Sequence, residues 1–340
     1  MATKISPIDN KEITVVVQGP VQTLPDRDMD QGITRRCLDS VRAHLPGCHL
    51  ILSTWPDQDL GGLDYDELII CEDPGPNIDM YNAKGKPHVE NMNRQIVTTR
   101  EGLRRVTTPY AMKLRSDNFL VGDQFKHLQQ AFPKRCDTHC FLKERVVVNN
   151  TFTRQYAKGM RVVFHSCDFF YFGLTQDLLA LWDLPLFPDL PRDPNRLGRA
   201  QHPSTPRFIP DVTQRLWLAA LERFDPALGI DHLTHANGPL KKASDICYAN
   251  NLIVAEPQAI GLGLCSKFSG KRRANKLSSR ITYLSFFEWK CLYQTHCDPG
   301  FKVANKLKGK LRLTLLRCLF LPGKTLEGRV RLLKYILANR

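Results

Sequence analysis

Between Ile13 and Leu114, short apolar β-branched runs alternate with amphipathic helical stretches, and nothing else in the 340-residue chain limits its fold as strongly. Ile13–Gln18 (ITVVVQ) reads as a buried strand entering a tight turn at Gly19-Pro20. His49–Thr54, Glu67–Cys71 and Tyr110–Leu114 repeat the pattern. Thr34–Leu45 puts Cys37, Leu38, Val41 and Leu45 on one helical face and stops at Pro46-Gly47. Asn91–Val106 does the same with Ile96, Thr99, Leu103 and Val106. Such β–α units, joined by right-handed crossovers, predict an α/β fold with a Rossmann-type, mainly parallel sheet flanked by helices. Ligands of these sheets bind beyond the carboxyl ends of the strands, so the polar strand exits are expected on one rim.

The second half is less regular. Val162–Gly173 (VVFHSCDFFYFG) predicts a long strand or a strand pair, and Thr175–Leu181 a helix. Leu184–Pro210 holds seven prolines and reads as a loop. Asp211–Phe224 is a helix with Val212, Leu216, Ala219 and Ala220 on one face. Lys306–Leu313 alternates basic and apolar residues, a strand-like period, and from Leu326 the stripe Leu326, Val330, Leu333, Leu337 is helical. A basic amphipathic helix of this kind either lies on a membrane surface or packs its stripe on the domain.

Charge divides the chain sharply. Residues 1–266 carry 30 Lys and Arg against 31 Asp and Glu, whereas residues 267–340 carry 18 against 3, which accounts for the net +14. The expected organisation is a domain over 1–266, made of two halves at about 10–130 and about 131–266. A basic extension over 267–340 would seek an acidic surface. The 11 cysteines are odd in number and have no CxxC spacing, so they read as reduced core residues. The start has no apolar signal segment, and no run approaches the roughly 18 apolar residues of a membrane span. The expected location is the cytoplasm, peripheral on the cytoplasmic face of an inner membrane.

Five places carry candidate chemistry. Lys113 interrupts an apolar strand, and a buried ammonium needs an anionic partner. Arg115 adds a planar fork suited to phosphate oxygens, and Asp117 at the exit could hold a divalent cation on a diphosphate. Equally, Lys113, Arg115 and Asp117 could pair among themselves and only shape the turn. Gln18-Gly19-Pro20 allows close backbone approach to a ligand or simply makes a turn. Asn91, Asn93, Arg94 and Gln95 sit at a helix start, where an asparagine cap and an anion are both favoured. Asp168, between aromatics, either positions a substrate hydroxyl or bonds backbone amides. Asp211 either caps its helix or acts as a general base. Walker A, GxGxxG and HExxH patterns are all missing.

Taken together, VVVQGPV (Val15–Val21), CLDSVR, LILSTW, NRQIVTTREGL, YAMKLRSD (Tyr110–Asp117), DFFYFG and DVTQRLWL (Asp211–Leu218) resemble the WavE family of lipopolysaccharide-synthesis proteins. The resemblance runs from about residue 13 to about 297. It implies a GT-A-like glycosyltransferase that moves a sugar from a nucleotide-sugar donor to a lipopolysaccharide-core, capsule or other surface-glycan acceptor. By analogy Asp117 stands at the last acid of a DxD motif whose first acid is here Arg115, which makes Mg²⁺ or Mn²⁺ conditional. Asp211 falls where an acceptor-side catalytic acid often lies. The expected partners are the nucleotide-sugar donor, a glycan or glycolipid acceptor and an anionic inner-membrane surface under the basic C-terminus. Two other readings stand beside it. One is a nucleotidyl- or sugar-phosphate-transferring enzyme, disfavoured because the Gly-rich loop is missing. The other is a non-catalytic basic protein that binds nucleic acid or acts as a scaffold, disfavoured because the tail is leucine-rich rather than interleaved with aromatics.

Overall fold

Strand β1 (Ile13–Gln18) has every side chain buried, as its β-branched run demands. In the computed structural model, which describes residues 7–23, 30–82, 84–194, 209–269 and 281–337, this strand lies inside the main sheet. The other strands are β2 (His49–Thr54), β3 (Glu67–Ile70), β4 (Asn77–Tyr81), β5 (Pro87–Glu90), β6 (Tyr110–Arg115) and β7 (Asn118–Leu120). They continue with β8 (Val146–Asn149), β9 (Tyr156–Ala157), β10 (Met160–Arg161), β11 (Phe170–Leu174), β12 (Leu252–Ala255) and β13 (Leu262–Leu264). Among the described residues, seven strands form one sheet in the order β12-β8-β11-β6-β1-β2-β3. All neighbours are parallel except β11, which runs antiparallel to both β6 and β8. Strands β4 and β5 form a separate antiparallel hairpin.

Helix α1 (Ile33–His44) packs against β7 and β1, and α2 (Met92–Arg104) against β1 and β2. Gly102 lets α2 settle on the sheet, because a Cβ at that position would overlap Val16 Cγ1. The expected mainly parallel α/β sheet is present, with helix ends within a residue or two of the predicted bounds.

Three expectations need correction. Of Val162–Gly173, only the end is strand, in β11; the preceding stretch is irregular. Phe164 takes a left-handed φ of 50°, and the amides of Phe164 and His165 bond the side chains of Ser244 and Tyr248. Apolar composition specified burial there, not extension. Lys306–Leu313 is not a strand but the opening of a helix over Lys306–Leu337. The alternation finds no strand partner, while Leu307, Leu311, Leu315 and Leu319 recur every fourth residue, a helical spacing. Cys140 and Cys318 are exposed rather than core thiols. Within the proline-rich connection, residues 195–208 lie outside the described residues, as do 270–280 of the basic stretch.

Lys113 is fully buried in the middle of β6. Its ammonium donates to the Asp168 carbonyl and lies 4.3 Å from the centre of the Trp182 ring. Burial pulls its pKa down to about 7, against the opposing pull of the Asp168 charge. Between about pH 7 and pH 10.4 the unfolded chain therefore binds a proton that the folded chain has released, and stability rises with pH across that window. Replacing the ammonium by an apolar chain, Lys113→Met, should remove that rise. Urea midpoints of both proteins at pH 7 and pH 9 check it. Gly102→Ala should cost about 1–3 kcal/mol by overpacking against Val16, despite alanine's better helix propensity, measured by the same unfolding curves.

Candidate functional site

β1 and β6 end side by side, with Gln18 opposite Arg115. The two exits are tied together: Ser116 N–H donates to Gln18 O at 3.0 Å, and Ser116 Oγ to Pro20 O at 2.7 Å. Gly19 has φ 119°, and a Cβ there would press to 3.0 Å from Ser116 Oγ, so the turn requires glycine. Thr98 of α2 donates to Gln18 Oε1 at 2.8 Å, which fixes the helix to the same joint. A cavity of about 700 Å³ opens over this rim. It is bounded by Gln18, Gly19, Pro20, Arg94, Arg115 and Asp117 from the expected set. Gln95 and Lys267 line it as well, and Gln95 Oε1 is buried with no hydrogen-bond partner among the described residues.

Both arginines of this cavity are paired with carboxylates. Arg115 grips Asp117 through Nε at 3.0 Å and Nη2 at 2.7 Å, with Asp168 3.8 Å from Nη1. Burial opposes its charge, but Asp117 and Asp168 outweigh burial and hold the guanidinium firmly protonated. The Phe169 ring lies 4.7 Å beneath it. Arg94 makes a second bidentate pair with Asp73, at 2.8 and 2.5 Å, which raises its pKa. Both oxygens of Asp117 thus face Arg115. The group of ligating side chains found among the described residues is Asp79, His88 and Glu90, which does not include Asp117. As arranged, Asp117 lacks the companions a resident cation needs.

Two of the expected donor-site residues lie elsewhere. Asn93 borders neither of the two cavities described here. Its side chain clamps Phe187 through both backbone groups at 3.0 and 2.8 Å, and its amide donates to Asn77 Oδ1. Lys113 sits below the rim in the sheet, as described above. A third hollow, about 850 Å³ along edge strand β3, shares no lining residue with the rim cavity.

A second cavity of about 490 Å³ holds Asp79, Glu90, Arg154, Asp211 and Arg215. Glu90 and Val212 border both cavities. Asp211 caps the helix α3 (Val212–Phe224), accepting from Gln214 N–H at 3.3 Å. It also accepts from Arg154 at 2.8 Å and Thr213 Oγ1 at 2.9 Å, with buried His165 Nε2 at 2.7 Å. Burial alone would raise its pKa. The charge and hydrogen bond of His165, with Arg154 and Thr213, instead hold it far below the ordinary carboxylate range. Asp168 is buried beside Arg115 and lines neither cavity. Glu90 differs from Asp211: burial first, then the charges of Asp79, Asp211 and Asp168, push its pKa up against the opposing pull of His88.

Sequence reading missed Glu90, Arg154 and His165. His165 carried a signal, a polar ring inside an apolar run, but its partner Asp211 is 46 residues away. Glu90 carried none, because its role comes from the position of a hairpin outside the main sheet.

Comparison with known proteins places this geometry in context. No curated protein sequence matches the chain. Among solved structures, 4-diphosphocytidyl-2C-methyl-D-erythritol synthase from Anaerococcus prevotii is similar at 12% identity and a TM-score of 0.32. That match covers 52% of this chain and 76% of the other. HddC from Yersinia pseudotuberculosis matches at 10% identity and a TM-score of 0.29, covering 63% and 99%. At these scores the likeness carries no inference about activity. The model of the WavE lipopolysaccharide synthesis family matches residues 13–316, nearly the whole chain, and the protein belongs to that family.

Proposed function

We propose that the protein is a nucleotide-sugar-dependent glycosyltransferase acting on a lipopolysaccharide or related surface-glycan acceptor. The observation that carries the reading is the pair of cavities that meet at Glu90 and Val212. Two substrates entering from either side would bring their reacting atoms to one carboxylate. The donor fits the rim cavity, where Arg94, Arg115 and Lys267 offer cationic groups to a diphosphate. The unpartnered Gln95 Oε1 suits a ribose hydroxyl or a nucleobase N–H. Family membership supports the glycan acceptor.

In the transfer, an acceptor hydroxyl loses its proton to Glu90 as its oxygen attacks the anomeric carbon. The bond from that carbon to the diphosphate oxygen breaks, and the nucleoside diphosphate leaves with its negative charge facing the arginines. A carboxylate whose pKa is raised is the better proton acceptor at neutral pH. Asp211, held by four donors, is suited instead to position Arg154 and His165 at the acceptor cavity. Asp168 is suited to hold Arg115. No step here depends on a cation, since Asp117 is engaged by Arg115.

Glu90→Gln should lower kcat about 100- to 10,000-fold with little change in donor KM, whereas Asp211→Asn should mainly raise acceptor KM. Steady-state kinetics with a panel of nucleotide sugars and mass analysis of the product check both; product carrying nucleoside monophosphate would replace glycosyl by nucleotidyl transfer. Arg94→Ala should weaken nucleoside diphosphate binding roughly tenfold to a hundredfold, read by calorimetry.

A further inference from the structure

The helix Lys306–Leu337 contains 32 residues, about 48 Å at 1.5 Å per residue. One side of it is seated on the domain. Arg317 pairs with Glu288 at 2.6 Å and lies 4.8 Å over the Tyr156 ring. Gly309 lies against Phe287, Thr325 Oγ1 donates to Gly159 O at 3.1 Å, and Gly328 is buried beside Lys158. At 100° per residue these positions share one face. Leu311, Leu315, Leu319, Leu326 and Leu333 fall on the opposite face and are 56–69% exposed. The apolar stripe therefore points away from the domain, and packing on the domain is not what it serves.

Charge limits what could cover it. The segment carries nine Lys and Arg and one acid, Glu327. Lys308, Arg312 and Arg329 lie on the same side of the helix as the leucines. A second copy would bring the same excess of positive charge against its own kind. A nucleic acid would meet the cations but strand the leucines. An anionic lipid surface satisfies both, taking leucines among the acyl chains and cations among the headgroups. No described helix is long and apolar enough to cross a membrane, which fits a helix lying in the interface.

We infer that this helix lies along an anionic phospholipid surface, leucine stripe inward, and holds the mouth of the second cavity at the bilayer. Lys324 of the same helix lines that cavity. On the glycosyl-transfer reading above, on which this last clause rests, the acceptor is thus a lipid-linked saccharide taken from the membrane plane.

The test uses the full chain without substrate, so its outcome is separate from that of the transfer reading. Sedimentation is measured with vesicles of phosphatidylcholine alone and of phosphatidylcholine with phosphatidylglycerol. Binding is expected only to the second kind and should weaken with salt. The variant carrying Leu311→Glu, Leu315→Glu and Leu319→Glu should bind at least about tenfold less, with an unchanged thermal midpoint because these side chains are exposed. Lys308→Gln and Arg312→Gln should each cost about fivefold. Equal binding by native protein and the leucine variant would overturn the proposal. So would binding to RNA but not to vesicles, or a dimer in solution that the leucine variant converts to monomer while vesicle binding is absent.

Discussion

The joint between the ends of β1 and β6 is the constraint on which the rest of the site depends. Parallel pairing puts Gln18 beside Arg115, and Ser116 locks the two exits through its amide and hydroxyl. Once that joint is closed, the Gly19 turn is forced and α2 is held by Thr98 on Gln18. Arg94, one turn earlier on α2, then faces Arg115 across the same cavity. Loss of the joint would separate the two arginines without touching either. The site is therefore a property of sheet order, not of a local motif.

Most of that order was legible in the first 115 residues. β1, β2 and β6 are buried on both faces, so their runs are nearly all apolar and announce themselves. The lone lysine in β6 was also visible, but its partner was not. A backbone carbonyl and an indole ring leave no trace in residue spacing, so an anionic ligand looked as suitable as Asp168 O and Trp182. Asn93 misled for a related reason: a helix-start asparagine suits a ligand, a cap or, as here, a clamp on a distant loop. The second half was harder because its polar residues satisfy one another across long separations, as His165 and Asp211 do. The C-terminal helix held two periods at once, and the every-fourth-residue spacing of its leucines is the one the structure follows.

Three arginines at the two cavities are paired before any ligand arrives. Arg115 with Asp117 and Asp168, Arg94 with Asp73, and Arg154 with Asp211 are each oriented by a partner. Such pairing fixes guanidinium planes in advance, so a bound anion need not spend entropy in ordering them. The arrangement has an opposite side: an anion must compete with carboxylates already in place, which favours multiply charged ligands over single charges. Glu90 stands apart because its neighbours are mainly other carboxylates.

The shared wall at Glu90 and Val212 also joins the two cavities thermodynamically. Glu90 borders both spaces. A molecule that fills either one strips water from that carboxylate and changes the dielectric surroundings of whatever enters the other. Two occupants would then sense each other's presence without any hinge or lid, and by reciprocity each would alter the other's affinity by the same factor.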